Sequence, residues 1–168
     1  MSDPAKPSAS GAARGGCEIV LLNPNHYPEA GARRLRPWLA GLVAALAPRA
    51  ASLGARFVGD REMRRVNRQF RGKDKATDVL SFPGEPEDHL GDLLISVPTA
   101  RRQAAGAGHG VDRELKVLLL HGVLHCLGHD HEADRGEMER LERRLRRTWI
   151  DGGQGGEGRA TGAEGMNA

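Results

Sequence analysis

The feature that most constrains the fold is an apolar segment, DRELKVLLLHGVLHCL, at residues 112–127. From Val117 to Leu127 the apolar side chains face nearly every direction around a helix, which is typical of a helix that is covered on all sides. Asp112 is predicted to cap this helix at its N-terminus, and Gly128 is predicted to end it. The segment therefore predicts a domain built around one central buried helix.

The rest of the chain supplies the elements that would cover this helix. Short apolar runs bounded by Gly, Pro or Asn predict strands at residues 17–23, 51–59, 76–83 and 90–97. Apolar residues spaced three and four apart predict helices at 32–47, 61–70, 98–108 and 134–150. Because strands and helices do not alternate strictly, we expect an α+β fold with a small, mostly mixed four-stranded sheet packed with helices.

Two residues give local predictions within these helices. Asp60 directly precedes the helix at 61–70 and is predicted to be its N-cap. Pro37 lies inside the run at 32–47, and a proline is tolerated at the first helical position, so the helix is predicted to begin just before it.

Composition predicts one folded domain at residues 17–150, between a disordered leader at 1–16 and a disordered glycine-rich tail at 151–168. The two cysteines do not make a disulfide framework, which fits a reducing compartment. The N-terminal residues lack the pattern of a signal peptide, and no apolar run reaches the roughly 18 residues that span a bilayer. We therefore expect a cytoplasmic protein with no membrane partner.

Four of the seven histidines lie in HGVLHCLGHDH, residues 121–131. On a helix, His121 and His125 are one turn apart, so both rings point the same way. Gly128 allows the chain to turn back and bring His131 within reach. Three imidazoles leave one tetrahedral position of a zinc ion open for water, and the ion lowers the pKa of that water towards about 7. The spacing predicts one Zn²⁺ per chain, with His121, His125 and His131 as ligands.

Three neighbouring residues have less definite roles. Asp130 could accept a hydrogen bond from a ligand ring and orient it, or it could be a capping or surface aspartate. Cys126 is predicted to be a small buried side chain and not a ligand. His129 receives no role.

Gly122 bears on the class of reaction. In zinc peptidases with the pattern H-E-x-x-H, the glutamate at this position moves the proton, and glycine cannot do so. A phosphodiester is less demanding, because a metal ion and a guanidinium can neutralise the charge that develops during its cleavage.

Seven basic residues against two acidic ones lie between residues 61 and 75. They are Arg61, Arg64, Arg65, Arg68, Arg71, Lys73 and Lys75. Such an excess attracts polyanions, although a solvated helix face would have the same composition. We call this segment the basic stretch.

With FRGKDKATDVLSFP (70–83), LGDLLIS (90–96) and HGVLHCLGHDH in the same order, the chain resembles the YbeY family of metal-dependent endoribonucleases over about residues 17–150. Ala76 replaces a proline that is usual in the family, and His129 replaces a common tyrosine. The resemblance implies an α+β fold, cleavage of single-stranded RNA, maturation of the 3′ end of small-subunit ribosomal RNA, and ribosome quality control. Its implied partners are precursor ribosomal RNA and the small subunit or its assembly proteins.

The resemblance also implies roles for individual residues. His121, His125 and His131 match the family's zinc ligands, and Arg71 matches an arginine that the family is thought to use in catalysis. Zinc-bound water at His121 would then act with Arg71 on the scissile phosphate. The neighbouring phosphates would be bound by Arg64, Arg65, Arg68, Lys73 and Lys75. Without the resemblance, Arg71 would be expected to pair with Asp74 at the surface.

Two other functions stay open on the sequence. One is a zinc hydrolase of peptides or esters whose general base comes from elsewhere in the chain. The other is a ribosome assembly factor without catalytic activity, in which zinc has only a structural role.

Overall fold

The structure, a computed structural model, describes residues 15–130 and 132–152. Nearly all of the predicted leader and tail lie outside the described residues, and so does His131. The strands are β1 (Glu18–Leu22), β2 (Ser52–Val58), β3 (Val79–Pro83) and β4 (His89–Ser96). The α-helices are α1 (Ala32–Leu46), α2 (Asp60–Arg71), α3 (Val97–Ala107), α4 (Val111–Cys126) and α5 (Glu137–Arg146). A π-helical turn (Arg147–Asp151) follows α5.

The strands form one mixed sheet in the order β1-β2-β4-β3. β1, β2 and β4 are parallel, with Val20 opposite Gly54 and Gly54 opposite Asp92. β3 is antiparallel to β4 and forms one edge, with Leu80 opposite Leu94. The prediction of an α+β fold with a mixed four-stranded sheet is confirmed.

One face of the sheet carries the larger part of the core. Leu53, Phe57, Leu93 and Ile95 are at most 2% exposed on this face, and they pack with buried residues of α1 and α4. Ten of the sixteen residues of α4 are buried, which confirms the predicted central helix. Within the described residues, no helix is long and apolar enough to cross a membrane.

The opposite face of the sheet is covered by α2. Because successive strand residues point to opposite faces, Leu80 and Leu94 turn away from α4. They form a second cluster with Val58 and with Met63 of α2. The helix with the basic stretch and the helix with the two histidines therefore lie on opposite faces of the sheet.

The two predicted aspartate caps are wrong. Gly59 is the N-cap of α2 and Gly110 is the N-cap of α4, and neither aspartate makes a capping hydrogen bond. Asp112 instead pairs with Lys116 at 3.2 Å. The carboxylate of Asp60 is likewise bound by other side chains, those of Ser96 and Thr99. In both helices the N-cap is the glycine that precedes the predicted position.

The predicted start of α1 is also wrong, because the helix begins at Ala32 and continues through Pro37. Proline removes one backbone hydrogen bond from the helix interior. The apolar side chains of Leu35, Leu39 and Leu42 are fully buried. Tertiary packing of this stripe outweighs the lost hydrogen bond.

Asp60 joins the N-termini of α2 and α3. Its carboxylate accepts hydrogen bonds from the hydroxyls of Ser96 (2.6 Å) and Thr99 (2.7 Å) and from Arg102 (2.7 Å). Burial raises the pKa of this carboxyl, but the three hydrogen bonds outweigh burial and hold the pKa below its ordinary 3.8. The ionised form of Asp60 is therefore favoured by folding.

We expect Asp60→Ala to destabilise the protein by about 1–3 kcal/mol at neutral pH, because the hydroxyls of Ser96 and Thr99 lose their hydrogen bonds to a charged acceptor. Since the folded-state pKa is lowered, this contribution is fully present above pH 3.8 and is lost as the pH falls through the lower, folded-state value. Urea unfolding at pH 7 and pH 3 checks both parts. The difference between parent and variant should be smaller at pH 3, and an equal difference at both values would contradict the linkage.

Candidate functional site

The site begins with two histidines one turn apart on α4. The Nε2 atoms of His121 and His125 lie 2.9 Å apart, and the ring centroids are 4.5 Å apart with an interplanar angle of 69°. Both Nε2 atoms therefore converge on one point beside the helix, as the spacing predicts.

A carboxylate on α5 supports the first of these rings. Glu142, whose side chain is 7% exposed, accepts hydrogen bonds from Nδ1 of His121 at 3.1 Å and from Arg146 at 2.6 Å. Burial raises the pKa of Glu142, but these two partners outweigh it and bring the pKa to about 2. Because an ionised carboxylate only accepts, it holds the proton of His121 on Nδ1 and leaves the Nε2 lone pair facing His125.

This arrangement fits a metal ion. Two nitrogen ligands of a tetrahedral zinc ion with bonds of about 2.0–2.1 Å stand about 3.3 Å apart, close to the 2.9 Å between the two Nε2 atoms. A carboxylate on the other ring nitrogen is also usual for histidines that bind metals. No group of three or more His, Cys, Asp or Glu side chains with metal-binding geometry occurs in residues 15–130 and 132–152. The third predicted ligand, His131, lies outside those residues and stays a prediction.

A tight turn ends α4 directly after the two histidines. The amide of Gly128 donates to the carbonyl of His125 at 3.0 Å, and the amide of His129 donates to Leu124 at 3.1 Å. This pair of bonds is the Schellman motif, which requires a left-handed residue, and Gly128 has a φ of +91°. The predicted helix end at Gly128 is confirmed.

Asp130 follows in this turn. Its carboxylate accepts a hydrogen bond from the backbone amide of Glu132 at 3.0 Å. This is the local turn role that the sequence left open. The carboxylate that contacts the ring of His121 is Glu142, not Asp130.

Gly122 faces the sheet. A Cβ atom at this position would lie 2.8 Å from Cδ2 of Leu93 and 3.3 Å from Oγ of Ser81. Any side chain at residue 122 would therefore require the buried side chain of Leu93 to shift. Close packing explains why this position does not hold the glutamate of zinc peptidases, since a side chain here would point into the core.

Cys126 is buried, as predicted, at 5% exposure. Burial, followed by the negative charge of Asp92, raises the pKa of its thiol to about 11. The thiol is therefore protonated at neutral pH. Cys17 is half-buried, and both cysteines are free.

An open cleft of about 520 Å³ lies beside the first histidine. Helices α3, α4 and α5 contribute its walls, including Gln103, His121, Glu142 and Arg143. The side chain of His121 is 26% exposed. The ring of His121 is therefore partly open to solvent.

Arg71 is the last residue of α2 and is exposed. Since α2 and α4 cover opposite faces of the sheet, the structure does not bring Arg71 into contact with His121 or His125. Within the described residues Arg71 makes no ion pair. Its expected surface partner, Asp74, is instead bound by Arg64 through two hydrogen bonds of 2.9 and 3.0 Å.

The basic stretch is divided by its ion pairs. Its N-terminal half is partly neutralised, because Arg64 is held by Asp74 and Arg65 lies 3.8 Å from Glu62. No ion pair to another described residue is found for Arg61, Arg68, Arg71, Lys73 and Lys75. Arg61 lies at the start of α2, and the other four lie in its last turn or in the loop that follows, so most of the uncompensated charge is where α2 ends. Asn67, 2% exposed, donates to the carbonyl of Lys75 at 2.8 Å and holds the following loop against the helix.

Glu142 is the residue that the sequence analysis missed. A signal for it exists, because Glu142 lies four residues after Met138 and three before Leu145, on the buried stripe of α5. A carboxylate on an apolar stripe is seldom buried without a partner. That pattern predicts a buried partner but cannot identify it as His121.

Comparison with known proteins gives a consistent result. A sequence profile of the family described as Endoribonuclease YbeY matches residues 31–149. A protein named Endoribonuclease YbeY from Solibacter usitatus is 60% identical over 91 residues, which cover 54% of this chain and 60% of the relative. One of the same name from an Anaeromyxobacter species is 47% identical over 135 residues, covering 76% of this chain and 70% of the relative.

The fold also has a solved counterpart. The solution structure of TM1509 from Thermotoga maritima is similar with a TM-score of 0.57 and 25% identity. The match covers 87% of this chain and 99% of that one. By contrast, the chain spans only 60% and 56% of the length of the relatives from Solibacter usitatus and Koribacter versatilis.

Proposed function

The chain belongs to the YbeY family, and on this basis we propose that it is a metal-dependent endoribonuclease that cuts single-stranded RNA. The observation that carries the proposal is the convergence of the Nε2 atoms of His121 and His125, 2.9 Å apart, with Glu142 behind the first ring. Convergent imidazoles beside an open cleft suit metal-assisted hydrolysis of a phosphodiester.

The two histidines would hold a zinc ion through Nε2, with His131 as the predicted third ligand. When bound, zinc supplies a Lewis acid that lowers the pKa of water and offsets negative charge on the phosphate. Glu142 keeps the ring of His121 in one tautomer and orientation. Asp130 has its own hydrogen bond to Glu132 and is left out of this role.

Arg71 would donate a charge-assisted pair of hydrogen bonds to the substrate phosphate. Arg68, Lys73 and Lys75 would bind neighbouring phosphates without base specificity. Arg64 and Arg65 contribute less in this proposal, because carboxylates already lie against them. One RNA strand that contacts both Arg71 and the histidines would pass the edge strand β3, because α2 and α4 lie on opposite faces of the sheet.

The same proposal includes the wider role that the resemblance implies. The substrate would be precursor ribosomal RNA, cut at the 3′ end of the small-subunit RNA, with the small subunit or its assembly proteins as partners. Ribosome quality control and a cytoplasmic location belong to this proposal as well. What supports them is family membership.

We expect His121→Ala to lose bound metal and RNA cleavage, whereas Arg71→Glu keeps the metal and loses cleavage about 100-fold or more, since a positioned charge contributes that much to the rate. Elemental analysis and cleavage of an end-labelled single-stranded RNA measure both properties on the same samples. Arg33→Glu, the same charge change at an exposed position of α1, is the matched control and should cleave like the parent.

A metal-free preparation that cuts RNA as fast as the loaded protein would contradict the metal mechanism. Turnover of unstructured peptides by a protein inert on RNA would support the hydrolase alternative. Normal ribosome maturation in cells that carry only a folded His125→Ala variant would support the assembly-factor alternative.

A further inference from the structure

Two of the three phenylalanines in this chain stand together at the surface. Phe70, at the end of α2, is 62% exposed and is more exposed than Leu22 (51%) and Val20 (39%). Its ring lies against Phe82 of β3, with centroids 5.3 Å apart at 71°. Phe57, in contrast, is fully buried. Phe82 is partly buried against the second cluster, so in a chain with 4% aromatic residues the exposed ring of Phe70 calls for a physical explanation.

Packing explains only part of this position. Phe70 continues the inward stripe of α2, after Met63 and Asn67, but it lies beyond the buried part of that stripe. Its edge-to-face contact with Phe82 covers a minority of its surface, because 62% of the residue stays in solvent. Leaving a phenyl ring in water forgoes the free energy that its burial would contribute.

The charges around Phe70 point to a polyanionic ligand. Arg68, Arg71 and Lys73 lie within three residues of Phe70 in the chain, and each lacks an ion-pair partner among the residues that the structure describes. Cations in the last turn of a helix also stabilise its dipole, but that effect does not require an exposed aromatic ring. Aromatic rings among unpaired cations are the arrangement that binds single-stranded nucleic acid, with bases stacked and phosphates held.

The pair also lies on a path to the histidines. Phe82 follows Ser81 in β3, and the two side chains point to opposite faces of the sheet. Ser81 lies beneath Gly122 of α4, 3.3 Å from where its Cβ would be. Since β3 is an edge strand, Phe70 and the metal site stand on either side of one strand, with no further strand in the way.

From these observations we propose that Phe70, supported by Phe82, is a binding site for an unpaired nucleobase of the RNA substrate. The base stacks on the exposed ring of Phe70, while Arg68, Arg71 and Lys73 hold the flanking phosphates. A base in a duplex has no free face to offer, so the site selects single-stranded RNA. The inference rests on the proposed function for its ligand and adds a residue that contacts it.

The test is binding of a fluorescent 2′-O-methyl oligoadenylate, checked by gel electrophoresis to stay intact, over a series of salt concentrations. We expect Phe70→Ala to weaken binding about tenfold, in line with the loss of one stacked base. The dependence of affinity on salt should stay the same, because no charge is removed. Phe70→Trp should bind within about threefold of the parent, since indole offers a larger stacking face.

Phe70→Leu separates stacking from packing, because leucine keeps an apolar contact with Phe82 but has no aromatic face. The inference requires Phe70→Leu to bind as weakly as Phe70→Ala, and Leu22→Ala on β1 to bind like the parent. It is overturned if Phe70→Leu restores binding, if Phe70→Ala binds within twofold of the parent, or if affinity for the matching duplex falls equally. A parent protein that does not bind the oligonucleotide also overturns it.

This binding test is independent of catalysis. If the parent binds the oligonucleotide in a Phe70-dependent way but does not cut ordinary RNA, the proposed function fails and the nucleobase site stands. If the parent cuts RNA and Phe70→Ala binds as tightly, only the nucleobase site fails.

Discussion

Replacing Gly122 with glutamate, which completes the pattern H-E-x-x-H, is expected to destabilise the protein by about 4 kcal/mol or more and to give no peptidase. A Cβ atom alone would stand 2.8 and 3.0 Å from the two methyl carbons of Leu93. Overpacking of this kind costs about 1–3 kcal/mol. The glutamate would also carry an unpaired carboxylate into an apolar core, which costs several kcal/mol more.

Urea unfolding of parent, Gly122→Glu and Gly122→Ala measures these contributions separately. Alanine tests the steric part alone, and its better helix propensity offsets about 1 kcal/mol of the cost. Gly106→Ala is the matched control, because Gly106 lies in α3 with nothing within 4 Å of its Cβ position. That control should be stabilised by up to about 1 kcal/mol. A Gly122→Glu protein that folds normally and cleaves peptides would refute this account.

Replacing Glu142 with glutamine is expected to lower metal affinity about 10–100-fold, the usual effect of losing a carboxylate behind a ligand histidine. Glutamine keeps the volume and can still accept a hydrogen bond, but it removes the charge that fixes the proton on Nδ1 of His121. Competition with a chelator of known affinity measures the change. Unfolding in the absence of metal shows how much of the effect comes from the lost pair with Arg146.

Glu139→Gln is the matched control for this experiment. Glu139 lines the same cleft from the same helix, but its side chain is 65% exposed and pairs with Arg143, which is also 65% exposed. Exposed pairs of this kind contribute less than about 1 kcal/mol, so metal affinity should be unchanged. Equal losses in Glu142→Gln and Glu139→Gln would indicate a general charge effect and would argue against ring orientation by Glu142.

Much of the fold could be predicted because its signals are local. Each of these signals can be read from residues that are close in sequence. They are the apolar residues on all sides of α4, the glycine that follows it, and the four short apolar runs that form strands. The caps could not be predicted in the same way. Asp60 has the right position for an N-cap, but Ser96 and Thr99, from a distant part of the chain, bind its carboxylate instead.

The candidate site, too, has features that the local sequence predicts and features that it does not. The spacing of His121 and His125 determines, through helix geometry alone, that the two rings converge. The sequence also contains the basic stretch and the Gly128 turn. By itself, then, it determined the family, the α+β fold and two adjacent imidazoles on a buried helix.

Only the tertiary structure decided which partners these residues have. Packing of α5 against α4 places the carboxylate of Glu142 against Nδ1 of His121. In the loop after α2, Asp74 pairs with Arg64 and not with Arg71. The close approach of α4 to β4 explains why residue 122 is glycine. The physical reason is common to all three. Spacing along the chain determines which way a side chain points from its own helix or strand, whereas its partner depends on which element packs opposite.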